Sequence, residues 1–320
     1  MHRNPINLKP AYLERIQKLL TGDDFKKYLE SLKEQPLRSI RCNTLKISPE
    51  KLIPRLKEKG WKIKQPWKDN PEVIIIVDKL EPGELGRSLE HLLGYYYIQD
   101  LASMLPVIAL DPKPGETILD LAAAPGSKST QISAAMKNTG TLIANDVSLG
   151  RIKILAANLE RCGASNSIIT RKDGIALCAR LKKSGFMFDK ILIDAPCSGE
   201  GTLRSSPKTA IMWNPKTIKS LSRLQKALVT AALDILNVGG TIIYSTCTHA
   251  PEENEGVLNY ILQNHKNVEV KSANLPIKCR SGVGGWGNIE YNNQVKKSCR
   301  IYPHDNETEG FFVSKLVKVK

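Results

Sequence analysis

The sequence has few of the signals that mark metal sites, disulfide frameworks or membrane segments. Its seven cysteines are widely spaced, at positions 42, 162, 178, 197, 247, 279 and 299, with no CxxC pair and no cluster of cysteine and histidine. This spacing predicts neither a zinc site nor a disulfide framework. No apolar run approaches the roughly eighteen residues of a transmembrane helix, and Met1 to Pro5 contain no apolar signal-peptide core. We therefore expect a soluble, cytoplasmic protein of a reducing compartment, with no metal and no membrane partner.

Acidic residues are also comparatively scarce, since 47 Lys and Arg stand against 32 Asp and Glu, for a net charge of +15. A surplus of this size favours a polyanionic partner such as nucleic acid. A generally basic proteome or a charge-rich thermostable surface would give the same total, so charge alone leaves these interpretations open. The length of 320 residues suggests one large domain or two unequal ones, and the chain has no internal repeat.

The first part of the chain predicts a small α+β unit. Residues 10–34 place apolar residues at helical spacing on either side of a break at Thr21-Gly-Asp-Asp24, which predicts two helices. A strand over 39–46, a basic helix over 49–59 and strands over 61–64 and 73–77 are predicted next. We place a boundary near residues 80–92 and assign residues 1–92 to an N-terminal domain. Its lysines fit an RNA-binding module or, equally well, a solvated face, and no aromatic motif of the RRM type is present.

Residues 93–320 alternate strands and helices from about residue 117, which predicts an α/β fold with a parallel sheet covered on both faces. The predicted strands cover 117–123, 141–146, 167–173, 191–193, 268–270 and 310–317, with a further strand before Cys247. Helices are predicted over 128–137 and 148–161, and a long amphipathic helix contains Ile218 to Leu236. The Gly- and Asn-rich stretch 276–304 is predicted to form a long loop beside the site.

Two predicted strands end in a cysteine. Ile191–Ile193 read as a buried strand that stops at Asp194-Ala-Pro-Cys197, because Pro196 cannot donate to a sheet ladder. Carboxyl ends of strands are where open α/β sheets bind ligands. A single cysteine there would be explained as a buried structural residue, but a second strand end at Cys247 makes a functional site the better hypothesis.

The loop after the first strand of this part predicts a nucleotide site. Its small residues let a ligand approach the backbone, and the next helix offers free N–H groups. Asp146, twenty residues past Gly126, can hold ribose hydroxyls, Asp173 can meet an adenine edge, and Arg151 can brace the rim. The loop lacks GxGxxG, which weighs against NAD and for S-adenosylmethionine. Taken singly, each acid is better explained as a helix N-cap.

Three segments together show a recognisable pattern: Asp120-Leu-Ala-Ala-Ala-Pro-Gly-Ser-Lys128, Asp194-Ala-Pro-Cys-Ser-Gly-Glu-Gly201 and Ser245-Thr-Cys-Thr-His-Ala-Pro-Glu-Glu-Asn254. They resemble the Sun-type RNA cytosine-5 methyltransferase family, in particular its archaeal tRNA-type members. Residues 41–46, 99–103 and 303–312 resemble flanking blocks of the same family, so the match runs from about residue 39 to the end. Ser127 stands where the family usually has Gly, and Thr248 where Ser is common.

The resemblance implies a class I methyltransferase fold, with a Rossmann-like seven-stranded sheet, helices on both faces and S-adenosylmethionine as cofactor. Carried over by position, Cys247 is the nucleophile and Cys197 the second cysteine. The cofactor-binding residues implied are Ala122, Ala123, Ala124, Pro125, Gly126, Ser127, Lys128, Asp146, Arg151, Asp173 and Asp194.

The chemistry explains why these groups are needed. A thiolate added at C6 of cytosine turns the ring into an enamine whose C5 can attack a methyl sulfonium. We expect Cys247 to attack C6, a protonated Asp194 to donate to N3, and Cys197 to assist release. Lys128 is expected to lower a thiol pKa or to hold the cofactor carboxylate. His249 is a rival base, although a loop histidine capping a helix is its better explanation.

An RNA 5-methylcytosine methyltransferase, working as a monomer, is therefore the leading hypothesis. The short N-terminal extension, with no appended RNA-binding module, favours tRNA over rRNA, which stays an alternative. A DNA cytosine methyltransferase would use Cys197 as its nucleophile instead. A silent RNA-binding or ribosome-assembly protein would not need both cysteines and Asp194, and an NAD-dependent oxidoreductase is the most distant alternative.

Overall fold

The structure is a computed structural model that describes residues 6–78 and 80–319. The segment Met1–Pro5, on which the signal-peptide expectation rests, lies outside the described residues. The helices are α1 Pro10–Leu19, α2 Gly22–Ser31, α3 Pro49–Glu58, α4 Glu84–Arg87, α5 Leu89–Leu92, α6 Leu101–Leu110, α7 Ser127–Ala135, α8 Leu149–Cys162, α9 Gly174–Lys183, α10 Lys208–Met212, α11 Pro215–Leu233, α12 Glu255–Asn264 and α13 Pro303–Asn306.

The strands are β1 Arg38–Cys42, β2 Ile63–Lys64, β3 Val73–Ile76, β4 Tyr96–Ile98, β5 Thr117–Asp120, β6 Thr141–Asp146, β7 Ser167–Arg171, β8 Phe188–Asp194, β9 Leu236–Thr246, β10 Val268–Lys271, β11 Arg280–Ser281, β12 Gly285–Trp286, β13 Ile289–Glu290, β14 Cys299–Ile301 and β15 Phe311–Lys318.

Seven strands of the large sheet follow the order β7-β6-β5-β8-β9-β15-β10. The first five are parallel, and β15 runs antiparallel to β9 and to β10. The short strands β14 and β11 extend the sheet beyond β15, next to β10. The predicted class I methyltransferase sheet is therefore confirmed, with two short strands added to its seven.

Both faces of this sheet are covered, which explains the unbroken apolar runs of its central strands. Ile191 and Ile193 of β8 pack on one side with helices α9, α11 and α12. Leu192 of the same strand packs on the opposite side with α6 and α7. Eight of the ten residues of α6 are buried, so this helix has no polar face and its periodicity gave no helical signal.

The small sheet has the order β2-β3-β1-β4 and a core of its own with α3. Its last strand is Tyr96–Ile98, so it extends past residue 92. Val73 and Ile75 of β3 turn away from that core and join the α6 side of the large sheet. The division of the chain at residue 92 stays a prediction.

Helices α1 and α2, predicted correctly as a pair, pack on the large domain and not on the small sheet. Tyr12 and Tyr28 are buried with Trp213 and Tyr302 of the C-terminal half. An ion pair joins Arg15 Nη2 to Glu252 Oε2 at 2.7 Å. Helices α1 and α2 thus lie against the segment that carries the second cysteine motif.

Residues 276–304 were expected to be one long loop, and this expectation was wrong in part. The stretch contains β11 to β14, because Arg280 and Ser281 pair with Arg300 and Cys299. This pairing brings Cys279 and Cys299 together in a disulfide with a Cα–Cα distance of 5.1 Å. The prediction that the chain has no disulfide framework is corrected accordingly: a hairpin-like pairing across 20 residues leaves no CxxC signal.

The remaining cysteines, at positions 42, 162, 178, 197 and 247, are free thiols. Within residues 6–78 and 80–319, no group of three or more His, Cys, Asp or Glu side chains could hold a metal ion. Over the same residues, no helix combines the length and the apolar composition that crossing a membrane requires.

Candidate active site

The site lies at the carboxyl ends of β5, β8 and β9, three neighbouring parallel strands. Asp194 is the last residue of β8, and Cys247 follows the last residue of β9. The register pairs Asp194 with Ser245, so the two strands end almost level. Because both chains leave the sheet at the same edge, the two cysteine motifs meet there although they are fifty positions apart.

A cavity of about 340 Å³ opens at this edge. Its walls are formed by Asp100, Ser103, Asp120, Ala122, Ala123, Ala124, Pro125, Ser127, Lys128, Arg151, Asp194, Thr202, Ser205, Cys247, Glu309 and Phe311. Most residues predicted from the sequence are therefore brought together. Gly126, Asp146, Asp173 and Cys197 are the predicted residues that do not line it.

The two cysteine side chains are in direct contact. Cys197 Sγ lies 3.0 Å from Cys247 Sγ, and the Cys247 backbone N–H points to Cys197 Sγ at 3.3 Å. The hydrogen bond with Cys247, together with burial, raises the pKa of Cys197 well above its ordinary value. Cys197 is thus held as a thiol against Cys247, and of these two cysteines Cys247 is the one that lines the cavity.

A buried lysine binds the carboxylate at the end of β8. Lys128 Nζ donates to Asp194 Oδ2 at 2.7 Å and to Ser103 Oγ at 2.9 Å, while Ser245 Oγ donates to Asp194 Oδ1 at 2.8 Å. Both Asp194 oxygens are therefore acceptors. The sequence suggested that a protonated Asp194 donates a hydrogen bond to N3 of cytosine. To do so, Asp194 has to give up its bond with Lys128 or with Ser245.

A second carboxylate holds the Cys197 loop in place. Glu253 Oε2 accepts from Ser198 N at 3.1 Å and from Gln225 Nε2 at 2.8 Å. Gln225 Nε2 also donates to Pro196 O at 2.8 Å. Burial raises the pKa of Glu253 to about 7. These bonds fix the backbone on both sides of Cys197.

Two glycines join the three loops around the cavity. Gly201 N donates to Cys247 O at 2.9 Å, and Gly310 N donates to Gly201 O at 2.9 Å. A Cβ on Gly201 would lie 2.1 Å from Gly310 O, which no side chain can tolerate. Only glycine lets these backbones approach so closely.

A buried arginine ties the small sheet to the loop after β5. Arg41 of β1 donates from Nη1 to Ser127 O at 2.7 Å and from Nη2 to Thr130 Oγ1 at 2.8 Å. Burial lowers the pKa of Arg41 to about 10. The small sheet thereby supports the loop that forms one wall of the cavity.

The acids at the ends of β6 and β7 are bound by backbone N–H groups, and Asp146 also pairs with Arg151. Asp146 is 1% exposed, accepts from Ala124 N at 3.3 Å and Ser148 N at 2.9 Å, and pairs with Arg151 Nη1 at 3.2 Å. Asp173 caps α9 by accepting from Ala176 N at 3.0 Å. Both carboxylates make the helix-cap contacts that were the better explanation of each acid taken singly. The binding of a ribose by Asp146 and of an adenine by Asp173 stays a prediction.

His249, the rival base, is packed away from the cavity. Its ring stacks on Tyr302 with centroids 4.8 Å apart, and its side chain is 1% exposed. Burial lowers the pKa of His249 to about 3. A neutral, enclosed imidazole in this position cannot reach a substrate in the cavity.

Comparison with known proteins agrees with this geometry. Residues 107–317 match the model of the 16S rRNA methyltransferase RsmB/F family, and residues 8–101 match the N-terminal domain of 16S rRNA methyltransferase RsmF. The chain belongs to the RsmB/F methyltransferase family. The resemblance drawn from the cysteine motifs is thereby confirmed, and with it the activity of an RNA cytosine-5 methyltransferase that uses S-adenosylmethionine.

Individual relatives of the RsmB/F family differ in length. The tRNA (cytosine(49)-C(5))-methyltransferase of Pyrococcus abyssi is 41% identical over 96% of this chain and 95% of its own length. Ribosomal RNA small subunit methyltransferase F of Vibrio parahaemolyticus is 38% identical over 99% of this chain, which spans only 64% of that relative.

Two solved structures from Pyrococcus horikoshii are similar over nearly the whole chain. A methyltransferase homolog protein is 34% identical with a TM-score of 0.82, over 97% of this chain and all of that one. NSun6, solved with SFG, is 28% identical with a TM-score of 0.85, over 99% of this chain and all of that one.

The cavity fits the S-adenosylmethionine of the RsmB/F family. Asp120 accepts from Ser129 Oγ at 2.6 Å through Oδ2, while its buried Oδ1 has no hydrogen-bond partner. Such an orphaned oxygen suits an ammonium group, and the alanines at 122–124 leave room beside it. Burial raises the pKa of Asp120 to about 7, which a bound cation would reverse.

Sequence reasoning missed several residues of the cavity wall: Asp100, Ser103, Asp120, Thr202, Ser205, Glu309 and Phe311. Asp100, Ser103, Glu309 and Phe311 fall within segments that resembled flanking blocks of the family, and this was the available signal. Asp120 opens the first of the three motifs. Nothing in the pattern of Thr202 or Ser205 indicated a role.

Proposed function

We propose that this member of the RsmB/F family forms 5-methylcytosine in tRNA through a covalent bond between Cys247 and C6 of the cytosine. The observation that carries the proposal is the position of Cys247 Sγ. It lines the cavity beside Asp194 and Lys128, with Cys197 Sγ 3.0 Å away.

The first step is addition of the Cys247 thiolate to C6. The new S–C6 bond breaks the C5=C6 double bond and leaves C5 electron-rich, with charge shared toward N3. Lys128, held at 2.7 Å from Asp194, supplies positive charge beside this site. S-adenosylmethionine, when bound, supplies an electrophilic methyl group, which C5 takes up.

The second step removes the C5 proton and releases the enzyme. As a base takes that proton, the C5=C6 bond re-forms and Cys247 leaves as a thiolate. Cys197, held as a thiol 3.0 Å from the leaving sulfur, can protonate it. The proton from C5 then restores the Cys197 thiol through water.

Cysteine substitutions test these roles. RNA carrying 5-fluorocytidine cannot lose a proton from C5, so the wild-type enzyme should form a stable adduct in the presence of S-adenosylmethionine. Cys247→Ala should abolish both adduct and methylation. Cys197→Ala should instead accumulate a bond to ordinary RNA, seen as a shifted band in a denaturing gel.

Cys178→Ala is the matched control, because Cys178 is a buried free thiol in the α9–α11 core and does not line the cavity. It should behave as wild type. The roles are reversed if Cys197→Ala removes the 5-fluorocytidine adduct while Cys247→Ala keeps it.

The choice of tRNA is supported by sequence similarity. The Pyrococcus abyssi tRNA enzyme is 41% identical to this chain, and the ribosomal relative of Vibrio parahaemolyticus is 38% identical. Ribosomal RNA is the second candidate, because residues 8–101 match an N-terminal domain of a 16S rRNA enzyme. We further propose that residues 1–92 contact RNA and that the enzyme is a cytoplasmic monomer.

Bisulfite sequencing of cellular RNA, with and without the gene, separates the two substrates. A cytosine in tRNA that loses its protection only in the deletion strain supports the proposal. If instead only a cytosine in ribosomal RNA loses its protection in the deletion strain, ribosomal RNA is the substrate.

A further inference from the structure

Helix α10, which follows the Cys197 motif along the chain, exposes two large apolar side chains. Ile211 is 72% exposed and Met212 is 78% exposed, more than any other large apolar side chain among the described residues. Lys208 is also exposed and lies three and four positions before them, so the three side chains share one face of the helix. Single exposed apolar residues are common, but two of them beside a cation form a small amphipathic surface that the described chain leaves uncovered.

This face of α10 has a fixed position relative to the cavity. Trp213, directly after α10, is buried, and its Nε1 donates to Oε1 of Glu200 in the Cys197 motif at 2.7 Å. On the helix itself, Thr209 Oγ1 lies 3.4 Å from Oγ1 of Thr202, a residue of the cavity wall. The exposed face of α10 is therefore carried beside the cavity by the same segment that holds Cys197.

The surface that continues from α10 is basic. No acidic residue occurs between Glu200 and Asp234. Helix α11 begins three positions after α10 ends, and its basic residues recur at intervals of three and four, which places them in one stripe along the helix. The stripe consists of Lys216, Lys219, Arg223 and Lys226. Its charge is complementary to the phosphate groups of a nucleic acid.

The reaction at Cys247 needs a cytosine that has left its stack. Enzymes that act on a base within a paired segment turn the nucleotide out of the helix, and protein contacts have to offset the lost stacking and pairing. Ile, Leu and Met side chains serve this purpose in proteins that open base steps, because they enter the gap and cover the neighbouring bases. Two exposed apolar side chains flanked by lysines match both the bases and the phosphates of an RNA.

We propose that Ile211 and Met212 form an apolar wedge that packs against the bases next to the target cytosine while this cytosine occupies the cavity. Lys208 and the basic stripe of α11 bind phosphates of the same RNA. The inference rests on the proposed covalent mechanism at Cys247, and it assigns the opening of the RNA to residues outside the reacting centre.

The test compares two forms of the substrate RNA, both with 5-fluorocytidine at the mapped target position. In one form the target and its neighbours are base-paired. In the other form the opposing nucleotides are mismatched, so the target leaves its stack at a lower cost. The rate of adduct formation at Cys247 is measured with saturating S-adenosylmethionine, and wild type should react with both forms. The double variant Ile211→Ala, Met212→Ala should react at least about tenfold more slowly with the paired form, but within about twofold of wild type with the mismatched form.

Three further variants separate a wedge from damage to α10. Ile211→Leu combined with Met212→Leu keeps the apolar volume and should retain the wild-type rate with the paired RNA. Val238→Ala is the matched control, because Val238 is 67% exposed but lies near the start of β9, at the opposite end of that strand from Cys247. It should leave both rates unchanged. Lys219→Gln removes a phosphate contact and should weaken the binding of both RNA forms equally.

The outcomes separate this inference from the function on which it rests. If wild type forms no adduct with either RNA, or Cys247→Ala still forms one, the covalent mechanism fails and the inference with it. If wild type reacts and the double alanine variant slows both forms by the same factor, Ile211 and Met212 serve binding in general and the wedge is overturned. Unchanged rates with both forms would also overturn it, because the exposed face of α10 would then not contact the RNA.

Discussion

The two halves of the large sheet's carboxyl edge differ in how their acidic residues are used. At β8 and β9, Asp194 lines the cavity and is held by side chains, Lys128 and Ser245. At β6, Asp146 is held by the backbone N–H groups of Ala124 and Ser148 and by Arg151, and after β7, Asp173 is held by the backbone N–H of Ala176. An acid at a strand end thus lines the cavity on one half and makes cap-like contacts on the other, and a strand-end location alone does not distinguish the two.

Among the three acids of this edge, the largest effect is expected at Asp194. Asp194→Asn removes the charge that holds Lys128 and should lower kcat by about 10²–10⁴-fold, the usual range for a group that acts in proton transfer or charge stabilisation. Single-turnover methylation of RNA measures this. Asp189→Asn, an acid at the other end of the same strand, is the control and should leave kcat within a factor of about two. A fall of less than tenfold for Asp194→Asn would remove Asp194 from the mechanism.

A smaller effect is expected at Asp146. Asp146→Asn keeps an acceptor for Ser148 N but loses the charge shared with Arg151 Nη1 at 3.2 Å. If Asp146 holds the ribose, the Kd for S-adenosylmethionine should rise about tenfold, the loss of one charge-assisted hydrogen bond. Calorimetry measures that Kd directly. An unchanged Kd would mean that Asp146 only positions Arg151 and Ala124.

The smallest effect is expected at Asp173. Asp173→Ala removes the cap of α9 and should lower the free energy of unfolding by about 1 kcal/mol, with the Kd for S-adenosylmethionine unchanged. Denaturant unfolding and calorimetry on the same variant separate these quantities. Asp173→Ser, which restores a capping oxygen without a charge, should recover most of the stability. A Kd that rises threefold or more in both variants would place Asp173 at the adenine and weaken the contrast between the two halves.

The sequence predicted the site residues best where these residues lie in contiguous motifs. Cys197, Cys247 and Lys128 lie in such motifs, and the alternation of strands and helices was enough to bring their strand ends together. Glu309 and Asp100 were missed because their approach to the cavity depends on how distant segments pack. The search for apolar residues at helical spacing also missed α6. Eight of its ten residues are buried, so it has no polar face that would make such a spacing visible.

Two other features depend on contacts that no local pattern encodes. The docking of α1 and α2 on the large domain rests on individual pairs such as Arg15 with Glu252, and an amphipathic pattern does not say which partner its apolar face will meet. The Cys279–Cys299 disulfide arises from the pairing of two very short strands within a stretch rich in Gly and Asn. Strands of two or three residues lie below the length at which alternation can be recognised.

The contact between Gly201 and Gly310 has a mechanical consequence. The loops bearing Cys197 and Glu309 are in direct backbone contact at Gly201 and Gly310, with no side chain between them. Neither loop can therefore shift without the other. One added methyl group at Gly201 would force the loop of Cys197 and the loop of Glu309 apart while leaving every reactive atom in the protein intact.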